Sequence, residues 1–255
     1  MPSQLEPAVR RYLKELSPQS RARLLASYAP EADEFAHLVF RIVEALQFYH
    51  AKNKMHDAAN PKQAAFSLMT KGANGLMAGF ELAIGGYAWE PPVVFRTALE
   101  GFAVAWDVVH NPDRFELWKA KKGFRSSDSI TNLKKEIEPI GKMYGYLSNM
   151  HVHTAPINSS PQMWQREDEL KFQFFGLVPE GREQARRGEV LIALLAAHIC
   201  LQLTELVFHN YAEELETIEK VPGTDTVRAV VSQRHRPFVD AAMKHFKAMA
   251  EEEVH

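Results

Sequence analysis

The sequence predicts a mostly α-helical, single-domain protein: a bundle of about eight to ten helices with one small β-hairpin. Three observations support this prediction. Apolar residues recur at helical spacing along most of the 255 residues, prolines stand where helices would begin, and only one segment alternates like a strand. Because no internal repeat or linker is present, residues 1–255 are expected to form one domain, with 224–255 as a candidate C-terminal helical arm after a Pro-Gly break.

Prolines and N-cap residues place the helices in order. Ser17-Pro18, Asn60-Pro61 and Asn111-Pro112 each pair an N-cap residue with a proline at the first helical position. Pro30 and Gly85-Gly86 end helices. The predicted helices cover about 7–16, 18–29, 31–51, 61–84, 91–110, 112–122, 127–137, 139–152, 182–216 and a last stretch from 226.

Three glycines lie inside the predicted helix at 61–84. Gly72, Gly75 and Gly79 each cost up to about 1 kcal/mol relative to alanine within a helix. Such a cost is tolerated where a small residue allows close contact with a neighbour, so we expect another helix to pack tightly against this one.

The segment MWQREDELKFQFFG at 163–176 is the exception to the helical pattern. Its second half alternates, with Leu170 and Phe172 on one side and Lys171 and Gln173 on the other. This alternation predicts a small β-hairpin that turns near 167–169.

Composition and charge limit the functional classes. The formal net charge is -2 and the pI is near 6.6, so no overall electrostatic attraction draws the chain to nucleic acid or to an anionic membrane. Cys200 is the only cysteine, which excludes an internal disulfide and a multi-thiolate metal site and indicates a reducing, cytoplasmic location. The N-terminal residues lack the apolar core of a signal peptide. The apolar segment 190–208 is long enough to span a bilayer, but its polar residues favour a buried helix and no membrane partner.

A polar row on the predicted helix at 91–110 is the most informative pattern. Arg96, Glu100, Asp107 and His110 project within about 40° of a common line on a helix that is otherwise apolar. Such a helix is expected to be buried around most of its circumference. The row therefore faces either solvent, through a narrow slot, or polar partners in the interior.

A second row lies on the predicted helix at 182–216. His198, Gln202, Glu205 and His209 follow each other at steps of four, three and four on another apolar helix. A helix packed on three sides leaves just such a narrow polar face, so exposure to solvent is the simpler interpretation of either row alone.

The stretch MYGYLSNMHVHT at 143–154 supplies a third line. Tyr144, Ser148 and His151 share one helix face, and His153 falls beyond the last turn. These side chains could simply bond the last carbonyl groups of the helix. Because buried charges need partners, we instead expect the two rows to meet each other or to meet this line, forming a partly buried polar network.

Two short motifs also resemble a known group. RTALE at 96–100, followed some fifty residues later by YGYLSNMHVH at 144–153, is similar to a group of uncharacterised, all-helical bacterial proteins of unknown function. The resemblance covers about residues 60–215 and implies no activity. The positions that it marks are Arg96, Glu100, Tyr144, Ser148 and one of His151 or His153.

These helical proteins invite comparison with HEPN nucleases, which cleave RNA with an Arg and a His separated by about four to six residues. Only Arg228 and His235 have that spacing here, and a single match at this spacing is expected by chance. Further basic residues on the same predicted helix form a modest patch that also suits a solvated helix face. A HEPN-like, RNA-cleaving enzyme is therefore the alternative hypothesis.

A di-metal carboxylate site is a weaker third idea. Glu34 with His37 has the Glu-x-x-His spacing of such sites, Asp107 with His110 resembles it, and Glu100 and Glu205 could add ligands. Because such pairs also arise by chance, we expect no metal site. We also expect no nucleotide cofactor, since the glycines of GANGLMAG lie within a helical pattern and follow no strand.

The leading hypothesis is a cytoplasmic binding or regulatory protein. Its polar network would orient a polar small molecule or a protein partner, and an apolar helix face could join copies into a homo-oligomer.

Overall fold

The computed structural model describes residues 11–53, 60–134, 136–151, 163–166, 169–172, 178 and 180–216. This part of the chain is mostly α-helical, as predicted. The predicted C-terminal arm and the first residues of the predicted helix at 7–16 lie outside it. After a π-helical turn at Tyr12–Leu16, the elements are α1 (Ser17–Ser27), α2 (Ala29–Asn53), α3 (Pro61–Ile84), α4 (Glu90–His110), α5 (Pro112–Ala120), α6 (Ser126–Leu133), α7 (Glu138–His151), β1 (Met163–Arg166), β2 (Glu169–Phe172), a 3₁₀ turn (Glu183–Arg186) and α8 (Arg187–Glu216).

The helix starts follow the predicted caps at two of three places. The Asn60 side chain accepts the backbone N–H of Lys62 at 2.8 Å, and the Asn111 side chain caps α5 in the same way at 3.4 Å. At α1 the prediction was wrong, because Ser17 is the first helical residue and Leu16 takes the cap position. These caps satisfy N–H groups that the first turn leaves without helical partners.

The α3 glycines allow a close contact between α3 and α4, as the sequence predicted. A Cβ atom added to Gly72 would lie 2.5 Å from the Phe102 ring, and one added to Gly79 would lie 2.5 Å from the Phe95 ring. Both distances are too short for real side chains. Glycine at these positions therefore lets two α4 rings press against the α3 backbone.

The main core lies between α2, α3, α4 and α8. The rings of Phe35 on α2 and Phe80 on α3 stack with their centroids 4.2 Å apart. The span 183–208 is long and apolar enough to cross a bilayer by length and composition, yet 78% of its most apolar window is buried inside the structure. Its apolar character is thus accounted for by contact with other helices.

The two described strands pair in antiparallel fashion. Met163 lies opposite Phe172, and Arg166 lies opposite Glu169. Glu169, which the sequence analysis placed in the turn, therefore belongs to β2. Residues 167–168 and 173–176 of the predicted hairpin lie outside the described part of the chain.

Candidate functional site

The polar row of α4 divides among three environments. Arg96 and Glu100 are partly exposed, with 27% and 24% of their side-chain surface accessible. Asp107 is buried, at 1%. His110 is exposed at the end of the helix, and its Nδ1 lies 2.8 Å from the Trp106 carbonyl oxygen one turn earlier. The row predicted from helical spacing is therefore not one site.

Side chains from three helices converge on Glu100. Arg96 Nε lies 3.2 Å from Glu100 Oε1, and Tyr144 of α7 donates its hydroxyl to the same oxygen at 2.6 Å. Arg96 Nη2 donates to the Tyr144 oxygen at 3.1 Å. Ser126 of α6 donates to Glu100 Oε2 at 3.2 Å. We name these four residues the Glu100 network.

The environment fixes the protonation of two members of this network. Burial, and next the hydrogen bond to Glu100, raises the pKa of Tyr144 above its ordinary value. Burial alone would lower the pKa of Arg96, but its contacts with Tyr144 and Glu100 outweigh this and raise it. At neutral pH Tyr144 is therefore a neutral hydrogen-bond donor and Arg96 a cation.

Ser148 lies one turn beyond Tyr144 on α7. Its Oγ is buried and has no hydrogen-bond partner among the described residues. Arg96 Nε is also buried without a hydrogen bond to a described residue, since its 3.2 Å approach to Glu100 is an ion-pair contact. The described hydrogen bond of the Arg96 side chain runs from Nη2 to Tyr144. His151 is the last residue of α7, but its side chain and all of His153 lie outside the described part.

A second network surrounds the buried Asp107. Its Oδ2 accepts hydrogen bonds from Arg114 Nε and Ser129 Oγ, both at 2.7 Å, and its Oδ1 accepts one from Asn132 Nδ2 at 3.2 Å. Arg114 also donates to the Arg125 carbonyl at 2.9 Å. We name Asp107, Arg114, Ser129 and Asn132 the Asp107 network. Sequence analysis did not identify its last three members.

The polar row of α8 has its own contacts. Gln202 Nε2 lies 3.2 Å from His198 Nε2, and burial lowers the pKa of His198. Glu205 is exposed, and the His209 side chain lies outside the described part. All described side-chain hydrogen bonds and ion pairs of Arg96, Glu100 and Asp107 go to residues between 96 and 144. The polar rows of α4 and α8 were expected to contact each other or to contact the Tyr144 line of α7. Among the described residues, the structure shows the contact between α4 and α7.

A third polar cluster, which sequence analysis missed, lies where α8 begins. The buried Arg186 donates through Nε to the Gly86 carbonyl at 2.9 Å. Its Nη1 lies 3.9 Å from Glu189 Oε1. Burial raises the pKa of Glu189 to about 7. Burial first, and then the charge of Glu189, raises the pKa of the nearby Tyr28 to about 12.

Asp107 and His110, which were considered as metal ligands, have other contacts. Both oxygens of Asp107 already accept hydrogen bonds, whereas His110 lies against its own helix. Among the described residues, no group of three or more His, Cys, Asp or Glu side chains is arranged to hold a metal ion. Arg228 and His235, the pair of the RNA-cleaving hypothesis, lie outside the described residues.

Comparison of the chain with protein-family models, curated proteins and solved structures finds no match. The resemblance through RTALE and YGYLSNMHVH therefore stays a prediction.

Proposed function

We propose that the protein is a cytoplasmic binding or regulatory protein, and that the Glu100 network with Ser148 orients a polar ligand or partner. The observation that supports this most directly is unused hydrogen-bonding capacity beside an ordered network. Ser148 Oγ and Arg96 Nε are both buried and have no hydrogen-bond partner among the described residues. Native proteins rarely leave such groups without a role.

Proton transfer is a less suitable role for this network. General acid–base catalysis at neutral pH works best with a group whose pKa lies near 7. The pKa values of Arg96 and Tyr144 are both raised from values that already lie above 9. These two groups keep their protons and can act as fixed donors, which suits the positioning of a ligand.

The cytoplasmic part of the proposal has separate support. Cys200 is completely buried in α8, and burial raises the pKa of its thiol well above the ordinary value. A buried, protonated thiol is unreactive and behaves as a small apolar side chain. Such a residue is compatible with a reducing compartment and needs no oxidised partner.

The test is a binding screen with matched variants. Wild-type protein is dialysed to equilibrium against a polar metabolite extract, and the enriched compounds are identified by mass spectrometry. We expect Tyr144→Phe and Arg96→Lys to reduce that enrichment at least about tenfold, because each removes hydrogen bonds that fix the network. Arg41→Ala, which removes an exposed ion pair with Glu44 on α2, is the control and should enrich the same compounds as wild type.

Two results would contradict the proposal. One is the absence of any enriched compound or small polar partner with folded wild-type protein. The other is equal enrichment by wild type, Tyr144→Phe and Arg96→Lys, which would place the binding elsewhere on the molecule.

A further inference from the structure

The Glu100 network also restricts the kind of ligand. We infer that the recognised group is uncharged, with a hydrogen-bond acceptor beside a donor, as in a carboxamide or a nucleobase. This inference rests on the proposed function, because it concerns the ligand of that same site. It follows from the charge balance of the network, from its unused donors and acceptors, and from where they lie.

The charge balance disfavours an anion. Arg96 is paired with Glu100 at 3.2 Å, so the network holds one positive and one negative charge side by side. A phosphate or carboxylate that reached Arg96 would also come close to the Glu100 carboxylate in a partly buried site, where like charges repel strongly. An uncharged group avoids that repulsion and can still use the hydrogen bonds of both side chains.

The network keeps three groups that can bond a ligand. Arg96 Nη1, which makes no hydrogen bond to a described residue, can only donate. Glu100 Oε2 accepts one described hydrogen bond, from Ser126 at 3.2 Å, and has capacity for another. Ser148 Oγ can donate or accept, and because no described residue bonds it, its burial costs free energy that a ligand would recover. A carboxamide or nucleobase edge, which carries C=O beside N–H, can accept from Arg96 and donate to Glu100.

The direction of the helices places Ser148 towards the Arg96 end of the network. On α6, Ser126 contacts Glu100 and the later Asn132 contacts Asp107, so α6 runs in the same direction as α4. The chain then turns back through a connection in which the backbone N–H of Ile137 bonds the Leu133 carbonyl at 2.9 Å.

Because Tyr144 has returned to the level of Arg96 and Glu100, α7 runs opposite to α4. Ser148 is one turn further along α7, about 6 Å from Tyr144 towards the N-terminal half of α4. Of Arg96 and Glu100, Arg96 is the one closer to the N-terminus of α4. A ligand that bonds Arg96 Nη1 can therefore also approach Ser148.

The experiment is an NMR titration of the full chain, with the side-chain Nε–Hε signal of Arg96 as the reporter. The signal is assigned by its loss in Arg96→Lys. The neutral probes are acetamide and cytosine, and the anionic probes are acetate and inorganic phosphate, all at constant ionic strength. We expect the neutral probes to shift the signal to saturation and the anions to leave it unchanged. A stronger response to cytosine than to acetamide identifies a nucleobase, and the reverse identifies a carboxamide.

Two variants sharpen the test. Ser148→Ala should raise the Kd of the bound neutral probe about threefold to tenfold, the effect of one lost hydrogen bond. Glu100→Gln removes the charge that opposes anions, so acetate or phosphate should begin to shift the Arg96 signal. The Nε–Hε signal of Arg114, whose Nε already donates to Asp107, is the internal control and should not move.

The inference is overturned if wild-type protein responds to neither neutral probe, or if acetate or phosphate binds more tightly than both. Preferential anion binding at Arg96 would leave the proposed binding function intact. Failure of the metabolite screen described above would remove the function itself.

Discussion

The Glu100 network and the Asp107 network are built from similar parts on one helix. Each has an acidic side chain of α4, an arginine and a serine of α6. Asp107 is buried and both of its oxygens accept hydrogen bonds, whereas Glu100 is partly exposed and its partner Arg96 has a buried Nε without a hydrogen bond to any described residue. The comparison shows that polar networks in a helical protein differ in how many of their hydrogen-bonding groups already have partners. A saturated network holds helices together, and an unsaturated one at the surface is suited to a ligand.

The largest effect is expected at Asp107. Asp107→Asn leaves the largely buried guanidinium of Arg114 without its main counter-charge, so it should lower the free energy of unfolding by about 3 kcal/mol. Urea denaturation measures this change. Asp113→Asn, at an exposed position on α5, is the control and should have little effect. A decrease in the free energy of unfolding below about 1 kcal/mol would mean that the Asp107 network does not stabilise the fold more than an exposed ion pair does.

Glu189 provides an intermediate case, because its side chain is 12% exposed and its Arg186 partner lies 3.9 Å away. Its folded pKa of about 7 exceeds the ordinary 4.5, so the folded state binds the proton more tightly than the unfolded state. The resulting stabilisation is complete below about pH 4.5 and is lost as the pH rises through 7. Between about pH 5 and pH 8, the free energy of unfolding of wild type should fall by about 2 kcal/mol relative to that of Glu189→Gln. If urea denaturation gives wild type and Glu189→Gln the same pH dependence of the free energy of unfolding, this prediction is wrong.

The smallest effect is expected at Arg96. Arg96→Ala should lower the free energy of unfolding by only about 1 kcal/mol, because Glu100 is partly exposed and keeps its bonds from Tyr144 and Ser126. Urea denaturation, with Arg41→Ala as the surface control, measures the change. A loss above about 3 kcal/mol would show that this network is as structural as that of Asp107, and the contrast between the two would disappear.

Local sequence signals predicted most of the helices and the part of the site that depends on helical spacing. Asn60-Pro61 and Asn111-Pro112 mark real helix starts because capping is a local interaction. Arg96 and Glu100 are four residues apart, so their contact is also local. The meeting with Tyr144 followed from the requirement that partly buried charges find partners.

The remaining contacts depend on tertiary structure. Asp107 binds Arg114 across a helix break and Ser129 and Asn132 from another helix, and no periodicity predicts such pairs. His110 was grouped with Asp107 because helical spacing places the two on one line. In the structure His110 is the last residue of α4 and is exposed. Arg186 was overlooked because its main partner, the Gly86 carbonyl, lies 100 residues away in the sequence.

The close contact between α3 and α4 bears on how the molecule could respond to a ligand. The rings of Phe95 and Phe102 occupy notches left by Gly79 and Gly72, about two turns apart. Because both rings are packed against glycine positions, α3 and α4 cannot slide or rotate relative to each other without steric clashes. Because α4 is held in this way, any adjustment on binding is expected of α6 and α7, which carry Ser126 and Tyr144 to the Glu100 network.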